Sequence, residues 1–379
     1  GRLGHAGKLW EFQKFSGRVG DSDLSGDVKV DTSGARPKLM GDMSSRVLDI
    51  DDLGGIIGAP PKTGRGETAS ASQKQAAAKA EASSRVLPTA EFRLGRLRAM
   101  DADVKLKAAS IRRKDLPIDH LAAHILLNDG VLKLSPLNFG VAGGNIVSDI
   151  AVDGRSERLA ANAAVKFNKL QLNKLFPNVD LTKSGVGSFS GRAKLAGEGN
   201  SFAKLMASAN GEVAVVSTGG KISNLLLEIA GIDGAEIIKF LLGGDRTATL
   251  RCAVGEFKVT KGVMKTEVLV FDTSDTNISG NGTIDLNNET LNLTFIPLPK
   301  DRSILSGRSP LHATGTFKDP KFAPDKGALA ARGGAALLLG LINPLAALIP
   351  LIETGPGKDS DCKALIATAT KDMARQKTK

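Results

Sequence analysis

The strongest pattern in the sequence is an alternation of apolar and polar residues between Phe257 and Pro299. A period of two places one set of side chains on one face of a β-strand and the other set on the opposite face. The alternating runs are separated by residues that reverse the chain at low cost, namely Lys261-Gly262, Gly280-Asn281-Gly282 and Asn287-Asn288. This stretch predicts a meander of short antiparallel strands with one apolar and one polar face.

The same unit recurs elsewhere in the chain. Residues 1–58 contain three short alternating runs, and alternation resumes at Phe92. A turn at Asn128-Asp129-Gly130 precedes one strand and Gly143-Gly144 follows it, as Lys261-Gly262 and Gly280-Asn281-Gly282 do further along. Such weak internal repetition is typical of a sheet that is extended by adding similar units. The sequence therefore predicts a mainly β fold.

Helices are few in this pattern. Residues 201–209 have capping residues at both ends, and 221–243 contain two short stretches with apolar residues at helical spacing. Residues 333–352 carry no charge, a length that admits a transmembrane helix. Pro344 and Pro350 favour a broken helix instead. We expect a helical pair on the end of the sheet, with a membrane-inserted or interfacial segment as the alternative.

Composition divides the chain into four parts. Residues 1–58 are predicted to end an upstream β portion, and we expect the chain to belong to a longer protein. Residues 59–90 are rich in Gly, Ser, Ala and Lys, which bury too little surface to offset their ordering entropy, so they are predicted to be a flexible linker. Residues 91–326 form the main β domain, and 327–379 form an apolar helical segment with a basic tail.

The charge balance favours an anionic partner. The formal net charge is +11 and the sequence pI is about 9.6. Proteins that bind nucleic acids usually combine basic grooves with stacking aromatics, but aromatic residues are only 4% of this chain and Tyr is absent. We therefore expect no nucleic-acid partner, and the anionic surface of a membrane fits the charge better.

The residues needed for catalysis are not arranged in any familiar motif. The sequence has neither a Walker loop nor a G-x-S-x-G elbow. His120 and His124 on a strand would lie roughly 13 Å apart, too far to share a metal ion. Asp49, Asp51 and Asp52 lack the spacing of an EF-hand. We expect a protein that is not an enzyme and that needs no metal or cofactor.

Four stretches together resemble the AsmA family of envelope proteins: residues 21–61, 222–246, 269–286 and 315–362. The resemblance implies a long curved antiparallel sheet that forms a hydrophobic groove, like a β-taco, for the acyl chains of phospholipid. It also implies a periplasmic protein that is anchored in the inner membrane through an N-terminal helix not present in this chain. The function it implies is to carry or bridge phospholipid between inner and outer membranes, which supports outer-membrane biogenesis. The alternative is a structural or chaperone-like factor that influences outer-membrane protein assembly and protein targeting to the membrane through envelope protein partners.

Within such a groove, the alternating apolar residues would line the interior. The residues predicted to do so are Val131, Leu134, Val268, Val270, Ile284, Leu286, Leu293 and Phe295. A one-faced apolar sheet must otherwise be covered by a second sheet or by helices, so a closed β-sandwich is the alternative. In a periplasmic chain we also expect a disulfide between Cys252 and Cys362, with two buried thiols as the other possibility. The uncharged run and basic tail are expected to meet a membrane surface at the C-terminal end.

Overall fold

The structure is a computed structural model. It describes residues 1–19, 21–49, 85–92, 94–112, 118–171, 174, 186–220, 248–300, 309–327, 330–331, 334–335, 341 and 357–374. The helices predicted in 221–243, residues 59–84 of the predicted linker and most of the uncharged run 333–352 lie outside these ranges. No helix among the described residues is long and apolar enough to cross a bilayer.

The prediction of a mainly β protein is confirmed. Seventeen strands among the described residues are assigned to a single sheet, and the helices described in full are short. The chain divides into two compact units. Strands β10 (Val186–Gly199) and β11 (Asn210–Gly220) contribute residues to both units.

Unit 1 consists of Gly1–Leu170 and Ala193–Gly211. Each strand pairs with the next in sequence, and every register is antiparallel except the parallel pair β4–β5. Its strands are β1 (Arg2–Ala6), β2 (Leu9–Val19), β3 (Ser22–Asp31), β4 (Lys38–Asp49), β5 (Asp101–Arg112), β6 (Ile118–Asn128), β7 (Val131–Val141), β8 (Gly144–Asp153) and β9 (Leu159–Gln171). Its helices are α1 (Leu94–Ala99) and α2 (Phe202–Ala207), the second within the predicted span 201–209.

Unit 2 consists of Gln171–Arg192 and Glu212–Lys379. Its strands form an antiparallel meander in sequence order. They are β12 (Leu250–Thr260), β13 (Val263–Thr273), β14 (Thr276–Asp285), β15 (Thr290–Pro299), β16 (Leu311–Thr316) and β17 (Pro320–Pro324). Helix α3 (Cys362–Ala374) follows at the C-terminal end.

Two-residue turns set the register of the hairpins in both units. Asp129 and Gly130 have φ values of 48° and 72°, and Lys261 and Gly262 have values of 48° and 76°. Two successive positive φ angles are typical of the type I′ turn, whose twist matches that of the flanking strands. The turns therefore fix which residues face each other in β6–β7 and in β12–β13, and so determine the composition of each face.

The carboxylate of Asp23 links β3 to β4 in unit 1. Its Oδ1 atom accepts a hydrogen bond from the backbone N of Val47 at 2.7 Å, and its Oδ2 atom accepts from Arg46 Nε at 3.0 Å. These bonds, the one from Val47 first, lower the pKa of Asp23 to about 2.

This depressed pKa makes unit 1 sensitive to acid. The unfolded chain takes up a proton at Asp23 near its ordinary pKa of 3.8, before the folded chain does, so stability falls as pH drops from about 4 to about 2. Asp23→Asn should remove this part of the pH dependence. Urea midpoints measured across that window by fluorescence of the single tryptophan, Trp10 in β2, would test it. Identical pH slopes for both proteins would contradict the expectation.

Candidate functional site

One face of the unit 2 sheet is almost entirely apolar. Residues that lie directly opposite each other in antiparallel strands project from the same face. Leu293 faces Gly282 on one side and Ala313 on the other, and Phe295 faces Gly280 and Leu311 in the same way. Following these registers defines the apolar face of unit 2: Val259, Met264, Leu269, Phe271, Ile278, Ile284, Leu291, Leu293, Phe295, Pro297, Leu311, Ala313 and Phe322.

The aromatic side chains on this face require a glycine between them. The rings of Phe271 and Phe295 lie 6.2 Å apart, edge to face. A Cβ atom on Gly280 would come 2.5 Å from Leu269 Cδ2 and 3.2 Å from Phe295 Cδ1. Gly280 therefore leaves the space in which these side chains pack, and Leu269 and Leu293 of this face are buried.

The opposite face of unit 2 is polar, and helix α3 packs on part of it. Its side chains include Lys258, Lys265, Thr283, Asn292, Thr294 and Lys321. Leu365, Ile366 and Ala369 of α3 pack against a small apolar cluster on the sheet that comprises Ala214, Val216, Val254 and Val268. The described C-terminal helix thus lies on the face that is polar, not on the apolar face.

A disulfide fixes the start of α3 to the sheet. The structure joins the sulfurs of Cys252 and Cys362, whose Cα atoms are 5.8 Å apart. Cys252 lies on β12 directly opposite Asp272 of β13, and both side chains are fully buried. The bond connects β12 to the last helix of unit 2 across a sequence separation of 110.

Beside the disulfide lies a group of charges centred on the buried Asp272, here called the Asp272 cluster: Asp272, Arg251, Lys300 and Asp359. The Asp272 carboxylate accepts hydrogen bonds from Arg251 Nε at 3.1 Å, Lys300 Nζ at 2.5 Å and Ser360 N at 3.0 Å. Lys300 Nζ also donates to Asp359 Oδ1 at 2.6 Å, and this bond with the nearby Arg251 holds the pKa of Asp359 below its usual value. The cluster pairs two carboxylates with two cations, so its net charge is zero.

The same location does not fit a metal ion. The two sulfurs and one oxygen of Asp272 lie within 4.8 Å of one another. Zinc and similar ions bind cysteine as the thiolate, but these sulfurs are bonded to each other. The Asp272 carboxylate is already neutralised by Arg251 and Lys300. The arrangement is therefore a structural clamp.

Unit 1 has an apolar face of its own. Leu127 faces Leu132, Ile125 faces Leu134 and Leu134 faces Ile150 across neighbouring strands. Its members include Leu39, Met43, Val104, Leu106, Ala123, Ile125, Leu127, Leu132, Leu134, Leu137, Phe139, Ile146, Ile150, Val152, Val165 and Phe167. The other face carries residues such as Lys105, His124, Lys133, Asn162 and Lys166. Each unit therefore separates apolar from polar side chains by strand alternation.

Comparison with known proteins identifies the family. A sequence model described as the AsmA family matches residues 8–269. The chain is 35% identical over 365 residues to the AsmA family protein YhjG of Escherichia coli strain K12. The chain belongs to the AsmA family. The alignment covers 96% of this chain but 53% of the relative, so the chain spans about half the length of the curated relative that it matches. No solved structure matches it.

Among the groove residues predicted for this AsmA family chain, four lie on the apolar faces. Leu134 is on the apolar face of unit 1, and Ile284, Leu293 and Phe295 share the apolar face of unit 2. Leu286 follows the end of β14, where its N–H donates to Gly262 O at 2.9 Å.

The other three predicted residues lie on the opposite faces. Val131 is paired with Asn128 and Asp153 on the polar face of unit 1. Val268 packs against the cluster under α3, and Val270 is paired with Val254 on that same face. A register irregularity in β13 between Lys265 and Val270 accounts for the positions of Val268 and Val270, because one extra residue moves the following side chains to the other face.

The prediction omitted other members of the apolar face of this AsmA family chain, among them Met264, Leu269, Phe271 and Leu291. The position of the hairpin turn could have indicated which face these residues occupy. Counting back from the turn at Lys261-Gly262 pairs Met264 with Val259, which gives the correct face before the irregularity. His124 Nε2 lies 2.9 Å from Asp103 Oδ1 on the neighbouring strand.

Proposed function

We propose that this AsmA family chain binds the acyl chains of phospholipid along the apolar faces of its sheet. It would thereby carry or bridge phospholipid between the inner and outer membranes of a bacterial envelope and support outer-membrane biogenesis. The proposal includes a periplasmic position, an inner-membrane anchor contributed by an N-terminal helix outside this chain, and no catalytic step.

The observation that supports this proposal is the placement of apolar side chains relative to α3. In an ordinary sheet protein, the helix covers the apolar face and completes the core. In unit 2 the described helix packs on the polar face and is held there by the disulfide and the Asp272 cluster. An acyl chain is a suitable partner for the apolar face, because each methylene that it buries contributes about 0.8 kcal/mol.

Two adjacent residues of β14 provide a matched test. Ile284 lies on the apolar face between Met264 and Leu291, whereas Thr283 lies on the polar face between Lys265 and Asn292. Ile284→Arg is expected to reduce lipid that co-purifies with the protein by about tenfold, since a guanidinium next to acyl chains is left without a partner. Thr283→Arg should retain the lipid. Mass spectrometry of organic extracts measures the lipid, and thermal unfolding measures the fold.

The two measurements together separate the alternatives. If Ile284→Arg aggregates or loses several kcal/mol of stability while Thr283→Arg does not, then the apolar face is the closed core of a β-sandwich and the proposal is wrong. If both variants fold and the native protein carries no lipid, then a structural or chaperone-like role in outer-membrane protein assembly is the better explanation.

A further inference from the structure

A cavity of about 560 Å³ lies in unit 1, where β8 and β10 end and β9 begins. The loop between β8 and β9 forms one wall, the end of β10 forms the second and α2 forms the third. The residues that line this β8–β9 cavity all belong to unit 1: Glu157, Arg158, Glu198, Gly199, Asn200, Lys204, Ala207 and Ser208. Its volume is typical of sites that bind small molecules.

Hydrogen bonds hold the walls of the cavity in place. Arg98 of α1 donates from Nε to Gly154 O at 2.7 Å and from Nη2 to Ser156 O at 2.6 Å, which fixes the loop between β8 and β9. Ser208 Oγ accepts from Glu198 N at 2.7 Å and donates to Glu198 O at 2.7 Å, which fixes the end of β10 against α2. The cavity is therefore built into the fold of unit 1.

The charged side chains that line the cavity are of both signs: Glu157, Glu198, Arg158 and Lys204. All four are exposed, and none of them forms an ion pair within the part of the chain that the structure describes. Arg155 of the same loop differs, because its Nη2 atom lies 2.5 Å from Asp153 Oδ2. The lining thus carries no net charge, but it offers separate cations and carboxylates to a ligand.

A side-chain oxygen beside the cavity also lacks a donor. Asn200 is held through Nδ2, which donates to Glu91 Oε1 at 2.6 Å. Its Oδ1 atom is shielded from solvent and has no hydrogen-bond partner among the described residues. A buried acceptor without a donor is costly. A ligand that brings an N–H group to this wall, as the amide turns toward it, removes that cost.

We propose that the β8–β9 cavity binds a small zwitterion of the phosphoethanolamine type, either as the head group of a phospholipid or as a free solute. Arg158 and Lys204 bind the phosphate, because hydrogen bonds between such cations and phosphate are charge-assisted and strong. Glu157, Glu198 and the oxygen of Asn200 accept hydrogen bonds from the ammonium group. A neutral ligand with two separated charges matches a neutral lining with two separated pairs of charges.

The position of the cavity favours the lipid as the source of this zwitterion. Val152 near the end of β8 and Ala161 near the start of β9 face each other on the apolar face of unit 1. That face therefore extends to the same end of the strands as the cavity. A phospholipid whose acyl chains lie along the apolar face can place its head group there. The lipid source rests on the proposed function, whereas binding of a free solute does not.

Isothermal titration calorimetry of the intact chain with soluble compounds tests the site. Glycerophosphoethanolamine has no acyl chains and should bind at least about tenfold more tightly than glycerophosphate, which lacks the ammonium group. It should exceed glycerophosphocholine by a similar factor of about ten, because a trimethylammonium group has no N–H to donate. Equal binding of either comparison compound, or no binding of glycerophosphoethanolamine, overturns the proposal.

Substitutions on the cavity wall supply a second test. Arg158→Gln should weaken the binding of glycerophosphoethanolamine by about tenfold, since the phosphate loses one of its two cations. Arg155→Gln is the matched control, because Arg155 lies in the same loop but does not line the cavity. Equal affinities of these two variants contradict the assignment.

The carboxylates are tested by replacing Glu157 and Glu198 together with glutamine. This double variant should lose the preference for glycerophosphoethanolamine over glycerophosphate while it still binds both. A general loss of structure would abolish binding of both compounds, so the changed preference is specific to the ammonium contact. A preference that survives in the double variant shows that these carboxylates do not bind the ammonium group, and the proposal is then wrong.

Mass spectrometry of co-purifying lipid separates the two sources of the zwitterion. If the ligand is a lipid head group, Arg158→Gln should lower the share of phosphatidylethanolamine, whereas Ile284→Arg lowers all lipid classes together. An unchanged share, together with the calorimetric binding, assigns the cavity to a free solute. If the native protein carries no lipid, the proposed function fails, and calorimetry with the soluble compound still decides whether the cavity binds a zwitterion.

Discussion

Replacing Lys300 by methionine is expected to lower the free energy of unfolding by about 3–5 kcal/mol. Lys300 is 11% exposed, and its Nζ atom contacts Asp272, Asp359 and the carbonyl of Thr273. Methionine keeps the length of the side chain but leaves the fully buried Asp272 with Arg251 as its remaining cation. The loss of stability arises because a buried charge is left uncompensated. The free-energy penalty of that charge exceeds the net stabilisation that the ion pair itself provides.

Lys321→Met is the control for this substitution. Lys321 lies on β17 of the same unit, its side chain is 72% exposed, and its contact with Asp319 is 3.8 Å long. Exposed pairs of this kind contribute about 0–1 kcal/mol. Urea unfolding followed by circular dichroism should therefore separate the two variants clearly. Similar losses for both would show that Lys300 is not tightly coupled to the buried Asp272.

Removing the disulfide should have an effect of comparable size. With Cys252 and Cys362 both replaced by serine, the unfolded chain regains the freedom that the bond removes, which is about 4–5 kcal/mol in the chain-entropy model for a loop of this length. The folded state changes less, because Ser360, Asp359 and the apolar side chains of α3 keep their own contacts with the sheet.

The double serine variant can be compared with reduced wild-type protein, which lacks the same covalent bond. The two should unfold at similar urea concentrations and below the oxidised protein. Combining the serine substitutions with Lys300→Met gives a coupling energy, because both changes act on the attachment of residues 357–374. Two reactive thiols in the denatured, unreduced wild type would mean that the bond is absent from the protein.

Much of the fold follows from the period-two pattern, since the strands of unit 2 lie where alternation and turn residues place them. The hairpin at Lys261-Gly262 is an example, because both φ angles are positive there as a type I′ turn requires. The sequence is a weaker guide to which face of the sheet each side chain occupies. Val268 and Val270 look like lining residues when alternation is read straight through β13, but the irregularity after Lys265 is not visible in the sequence.

The Asp272 cluster shows a second limit of sequence reasoning. The four residues are far apart in sequence: Arg251, Asp272 and Lys300 lie at or beside strand ends, and Asp359 lies just before α3. They meet because β12 begins where β13 and β15 end, and the C-terminal segment returns to the same edge. Only the expected disulfide between Cys252 and Cys362 indicated that these parts of the chain meet. It was expected because the chain resembles a periplasmic family, and two buried thiols were the alternative.

The parallel pairing of β4 with β5 has a consequence for how this protein can change in length during evolution. An extra residue in a hairpin turn tends to shift the register and exchange the apolar and polar faces of the following strand. Because β5 runs parallel to β4, the chain that leaves the end of β4 has to return to the start of β4 before β5 begins. This distance is about 40 Å, the length of β4. Insertions into this crossover leave both registers unchanged, so the length of the connection can vary while the faces of the sheet stay the same.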